Sequence, residues 1–179
     1  MQAAVAARGK KEGQKHAEKW TPPIENNFKI NTDASVREGE GTGIGVAIRD
    51  HRSQIITTLC HVYRTEYEIA IAETVACREG LILVPEKGLK NVVIESDNIN
   101  LFHRLQNRIE DLSYMGNILS DIFHLFSCFD SVCPSFVRRT GNTVHHLASF
   151  AFSLDSSNPR IGDIPDHLED LVVSDMVLS

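Results

Sequence analysis

The periodicity of the chain switches between that of strands and that of helices, and the order of the switches limits the fold more than any single residue. Asn27 to Ser35 alternates apolar and polar positions, the pattern of a strand with two unlike faces. Gly39, Gly41, Gly43 and Gly45 mark a turn into a second strand, Ile44 to Arg49. The short turn Asp50-His51-Arg52-Ser53 leads to a third, Gln54 to Tyr63, rich in β-branched residues. Connections this short join antiparallel neighbours, so these strands are expected to form a meander. From Glu66 to Val84 the apolar residues Ile69, Ala72, Ala76, Cys77, Gly80, Leu83 and Val84 recur at helical spacing, and Pro85 stops the run. Lys90 to Asp97 then reads as a strand whose unbroken Val92-Val93-Ile94 predicts burial on both faces. A strand reached through a long helix pairs parallel with an earlier one. Helices over Ile99–Ile109 and Leu112–Phe129 follow, then a short strand over Ser135–Arg139. A last helix opens at Asn142 with the stripe Val144, Leu147, Ala148 and Ala151. The expected class is α/β: a five-stranded mixed sheet, three strands antiparallel and the rest parallel, flanked by helices in the order βββαβααβα.

At 179 residues the chain corresponds to about one domain. Residues 1–27 read as a flexible basic lead that ends in Trp20-Thr21-Pro22-Pro23, an extended step a helix cannot enter. Residues 28–152 are the expected folded unit and 153–179 an acidic tail, whose His167 to Leu178 is amphipathic enough to dock on the domain or a partner, or to hang loose. No apolar run reaches the ~20 residues of a membrane span, and the first residues lack the apolar core of a secretory signal, so a nuclear or cytosolic protein without membrane association is expected. Cys60, Cys77, Cys128 and Cys133 form no Cys-x-x-Cys pair and are expected as free thiols packed in the core. The spacing of His124, Cys128 and Cys133 matches no zinc site.

Net charge is −6, which at first sight opposes a polyanionic partner. Residues 28–152 carry twelve Lys or Arg against fifteen Asp or Glu, whereas residues 153–179 carry one against six, so the tail supplies most of the imbalance. Carboxylates of the middle segment that serve to hold cations would also count against the sign of the net charge.

Three carboxylates stand out by position. Asp33 and Asp97 are expected at the carboxyl ends of the first and fourth strands, where α/β sheets open their ligand crevice. If those strands lie side by side and parallel, the two acids emerge at one edge, where like charges need a cation between them. Glu73 interrupts the apolar face of the first helix, which asks for a salt bridge to an Arg or a bound cation. Three hard oxygen ligands suit magnesium or manganese. A pair of such ions suits in-line displacement at phosphorus, with Asp33 as the shared carboxylate.

The segments Trp20-Thr-Pro-Pro, KINTDAS, GIGVAIRD, AETVACREGL, VVIESDN and GNTVHHLASFA occur in the order found in type 1 ribonuclease H domains, and from about Trp20 to Phe152 the chain most resembles their plant reverse-transcriptase-like branch. The resemblance implies the ribonuclease H fold and magnesium-dependent cleavage of the RNA strand of an RNA–DNA hybrid, leaving a 3′-hydroxyl and a 5′-phosphate. By motif it assigns Asp33, Glu73 and Asp97 as catalytic, metal-holding acids. Where the best-characterised relatives place a fourth carboxylate, at the start of the final helix, this chain has His145, which completes the expected catalytic set, followed by His146. Members of the plant branch often have histidine there. Imidazole is a poor magnesium ligand, and adjacent helical residues point about 100° apart, so one of the two histidines faces the crevice. The stretch Arg139 to Asn142 is too short to carry the histidine that assists product release in longer relatives. Arg104 and Arg108 are the only strong cations of residues 99–129, so no basic protrusion is expected. Substrate contacts fall to Ser35, Asn98 and Asn142 at sugar hydroxyls and to Arg138 at phosphate, with turn, cap and surface-charge roles as the plainer accounts.

The leading reading is a metal-dependent endonuclease on RNA–DNA hybrids, derived from a retroelement and acting as a monomer. The alternative is a module that keeps the fold and binds nucleic acid with little or no cleavage. The three acids favour the first; the missing fourth carboxylate and the acidic balance favour the second. A 3′-exonuclease on the related fold expects Asp-x-Glu, whereas Asp33 is followed by Ala34 and Ser35.

Overall fold

The computed structural model describes residues 21–138, 144–154, 158–166 and 168–170. Most of the basic lead, Arg139 and Asn142 lie outside the described residues. The expected meander is formed by β1 (Phe28–Arg37), β2 (Gly41–Arg49) and β3 (Ile55–Tyr63), antiparallel throughout. The long helix α1 (Ile69–Leu83) carries the chain to β4 (Asn91–Ser96), which pairs parallel with β1, and β5 (Ser131–Phe136) pairs parallel with β4. Between them run α2 (Ile99–Asn107) and α3 (Tyr114–Leu125), and α4 (His145–Phe150) follows β5.

The sheet has six strands in the order β5-β4-β1-β2-β3-β6, one more than the sequence predicts. The addition is β6 (Arg160–Gly162), which pairs antiparallel with β3 from within the stretch read as a tail. Three residues show no periodicity of their own. This strand exists because β3 offers a free edge and because Thr58 Oγ1 donates to the Gly162 carbonyl at 3.0 Å.

The sheet separates two apolar layers. On one face Ile30, Ile44, Val46, Ile48, Val92 and Ile94 pack under α1, α2 and α3 in the main core. Gly80 brings α1 close: a Cβ there would lie 2.8 Å from Ile30 Cγ2. On the other face Ala47 and Cys60 meet Val144, Leu147 and Ala151 of the α4 segment, and Leu168 joins this smaller core at 7% exposure. Leu168→Ala is therefore expected to cost about 2 kcal/mol, read as a lower urea midpoint at unchanged slope. A loosely held tail would leave the midpoint where it is.

Elsewhere the boundaries move for local reasons. α2 stops at Arg108, which takes the left-handed conformation (φ 51°), and α3 starts from Ser113, whose hydroxyl caps Gly116 N. The long helix expected to Phe129 ends at Leu125 in a single 3-10 turn, Phe126–Cys128. β5 then begins at Ser131 rather than Ser135, because Asp130 and Ser131 both donate backbone N–H to the Lys90 carbonyl and set the β4 register early. Pro134 fits there because β5 is an edge strand. Two cysteines depart from the core expectation: Cys60 and Cys77 are buried, but Cys128 on the 3-10 turn and Cys133 on the edge strand are exposed.

Candidate active site

Asp33 does not end its strand. β1 runs on beside β2 to Arg37, while pairing with β4 stops at Asn31↔Glu95. What ends is the neighbour, and the sheet is notched on that side of β1. Extending the β1–β4 register by two residues sets Asp33 opposite Asp97, so both carboxylates emerge at the notch. Glu73 of α1, 3% exposed, reaches the same point from the helical layer, and ligand oxygens of Asp33, Glu73 and Asp97 lie within 4.8 Å of one another. The Ala34 backbone N–H, beyond the last β4 pair, lowers both Asp33 and Glu73 against the push of burial.

From the opposite layer α4 delivers His145, whose Nδ1 lies 2.8 Å from Asp33 Oδ2. His145 is thus the histidine that faces the crevice. His146, one step round the helix, is exposed, its ring 6.1 Å from that of His145. α4 sits this low because Gly43 and Gly45 on β2 have no Cβ: one built on Gly45 would lie 2.8 Å from the Val144 carbonyl oxygen.

The electrostatics follow from crowding. Burial pushes the Glu73 carboxyl up to about 9, and the charges of Asp33 and Asp97 add to the push. Burial also raises Asp33, aided by Asp97 and opposed by His145. Among the described residues no Lys or Arg pairs with Glu73, and its Oε2 is buried with no hydrogen-bond partner. Among the described residues the salt-bridge account of Glu73 thus finds no cation. An orphaned buried oxygen beside two further carboxylates is what a hard divalent cation would satisfy, so the residues fit such an ion.

A cleft of about 250 Å³ opens at the cluster, lined by Ile69, Glu73, Asp97 and Asn98. The Asn98 amide oxygen caps α2 by accepting from Asn100 N and Leu101 N, so the plainer role is filled while the residue still lines the cleft. Ser35 is half-buried on the Asp33 face of β1, opposite Gly43. Arg138 is exposed two residues past β5, whose last pair is Ser96↔Phe136. Arg104 and Arg108 serve the structure: Arg104 pairs with Asp111 at 2.8 Å, and Arg108 stacks over the Phe126 ring at 5.3 Å.

The sequence reading missed the support beneath the notch. Lys29 Nζ lies 2.6 Å from Glu95 Oε1, and Asn31 Nδ2 donates to Glu95 Oε2 at 2.7 Å, all three residues being at most 6% exposed. This buried network ties β1 to β4 just before Asp33 and Asp97 and so fixes the separation of the two acids. The signal was there: charged or amide side chains at Lys29, Asn31 and Glu95 occupy the same strand face as Asp33 and Asp97, a face that apolar alternation leaves unexplained.

Several solved structures share this architecture. The chain aligns with ribonuclease H1 of the halophilic archaeon Halobacterium salinarum at TM-score 0.65 and 16% identity, covering 71% of this chain and 98% of that one. It aligns with LC11 ribonuclease H1, solved with an RNA/DNA hybrid, at 0.63 and 18%, covering 70% and 96%. The foamy viral protease-reverse transcriptase, also solved with an RNA/DNA hybrid, gives 0.56 and 11%, covering 84% of this chain and 22% of that one. At such identities the likeness shows a ribonuclease H-like fold and no more. No curated protein matches the chain significantly. The family model described as "Reverse transcriptase-like" matches residues 31–151, well over half of the sequence and the span from within β1 through α4, and the chain belongs to that family.

Proposed function

We propose that the protein cleaves the RNA strand of RNA–DNA hybrids, as a monomeric, retroelement-derived domain using magnesium or manganese at Asp33, Glu73 and Asp97. The observation that carries this is the meeting of three carboxylates at the notch with one buried oxygen unsatisfied. Two of the similar structures hold RNA/DNA hybrids, which supports the substrate class. Asp33 is central: it touches His145, lies among the other acids and sits where the sheet opens to a ligand. A bound divalent cation would supply charge neutralisation at the phosphate and an activated water. The chain's own residues hold the rest in place. Glu73 and Asp97 set the two other oxygens, His145 orients Asp33 through Nδ1, and Asn98 flanks the cleft at the head of α2. Ser35 and Asn142 are proposed for sugar hydroxyls and Arg138 for phosphate.

A labelled hybrid incubated with magnesium and, separately, manganese tests the reading, with Asp97→Asn run beside the wild type. Cleavage of the RNA strand by the wild type, reduced at least about 10³-fold in the variant, is expected, since losing one ligand forfeits several kcal/mol of transition-state stabilisation. The second reading, a binding module, is favoured by the imidazole that this chain sets against Asp33. Folded wild type that binds hybrid without cutting it would establish that reading instead.

A further inference from the structure

We propose that the cluster holds one divalent cation rather than a pair, and that His145 occupies the place a second ion would need. This rests on the reading of Asp33, Glu73 and Asp97 as a cation site. Two ions about 3.5–4 Å apart that share a carboxylate both need open access to its oxygens, and each ion needs further oxygen ligands of its own. For one ion those ligands exist beside Asp33: Glu73, with its buried unpartnered Oε2, and Asp97. Asp33 Oδ2 is itself already engaged by His145 Nδ1 at 2.8 Å. Among the described residues the acidic group contains these three members and none beyond His145. A ring nitrogen bonded to a carboxylate is a donor, and imidazole is in any case a poor ligand for a hard cation that selects oxygen.

The imidazole is also held there. His145 is the first residue of α4, and that helix rests against Gly43 and Gly45 with Val144, Leu147 and Ala151 buried beneath it. Moving His145 off Asp33 by shifting the backbone would open this core. The N–H of His145 supplies part of the positive potential a second ion would have brought to Asp33, which is how one side of the carboxylate stays satisfied without a metal.

Manganese is the probe, because calorimetric titration counts sites and electron paramagnetic resonance reports whether two ions are coupled at short range. The full chain, free of divalent ions, is titrated as wild type and as His145→Asp. Wild type is expected to bind one ion at the cluster with an uncoupled spectrum. His145→Asp is expected to bind two, with the line broadening of a coupled pair. Two coupled ions in the wild type, or a single ion in a folded His145→Asp, would overturn the proposal while leaving the cation site itself intact. No manganese binding by the wild type would remove the cation reading and this inference together. The wild-type stoichiometry decides even if the variant does not fold.

Discussion

Glu73→Gln is expected to abolish hydrolysis and, with no divalent cation present, to make the protein more stable at alkaline pH. The two effects have one cause. Glu73 is 3% exposed, its carboxyl is pushed up to about 9, and its Oε2 has no partner, so an ionised Glu73 is tolerated only when a cation lies beside it. Between about pH 4.5 and 9 the unfolded chain has released a proton that native Glu73 keeps. The unfolded state then binds fewer protons, and stability falls as pH rises through that window. Asp33, also raised, contributes in the same direction. The melting temperature of the ion-free wild type should thus decline from pH 5 to pH 9, whereas Glu73→Gln, neutral at every pH, should show a much shallower decline. Adding magnesium should reverse the order. A ligand that binds only the native state at 100 times its dissociation constant stabilises by about 2.7 kcal/mol, and the variant should gain far less. Its RNA-cleaving rate should fall at least about 10³-fold. A Gln variant that cuts hybrid, or that gains as much from magnesium as the wild type, would show that Glu73 holds no cation.

The parts of this site that the sequence revealed are those for which local pattern and topology agree. Parallel pairing of the first and fourth strands follows from the helix between them, and it alone brings Asp33 and Asp97 to one edge. Glu73 announced itself by interrupting an apolar stripe. What stayed hidden depends on where neighbours end. That β1 outlasts β4, so that Asp33 sits beside a notch rather than at a strand end, is a property of a pair of strands and has no signature in either. β6 is too short for periodicity and is made by the free edge of β3. The choice of His145 over His146 follows from the rotation of α4, which packing against β2 sets. Cys128 and Cys133 misled because apolar neighbours in sequence do not mean apolar neighbours in space when the element is a surface turn or an edge strand.

Gly45→Ala should unseat α4 and, with it, His145. Gly45 stands opposite Asp33 on the neighbouring strand and points to the same face. A methyl group there would collide with the Ala148 backbone nitrogen and lie 2.8 Å from the Val144 carbonyl oxygen and 2.9 Å from Leu147 Cβ. Two of those three atoms are backbone, so no side-chain rotation relieves the contact and the helix itself must lift. Overpacking of this kind costs about 1–3 kcal/mol, and the upper end is expected because lifting α4 also opens the smaller core around Leu147 and Ala151. Asp33 on β1, Glu73 on α1 and Asp97 just past β4 stay in place, since none of them is carried by α4. The variant should therefore lose stability and the His145–Asp33 hydrogen bond, seen as a shift of the His145 imidazole nitrogen resonances, while manganese still binds at the cluster. Unchanged stability together with unchanged imidazole resonances would mean that α4 does not depend on the bare backbone of β2. The contact between His145 and Asp33 would then need another cause than the glycine beneath the helix.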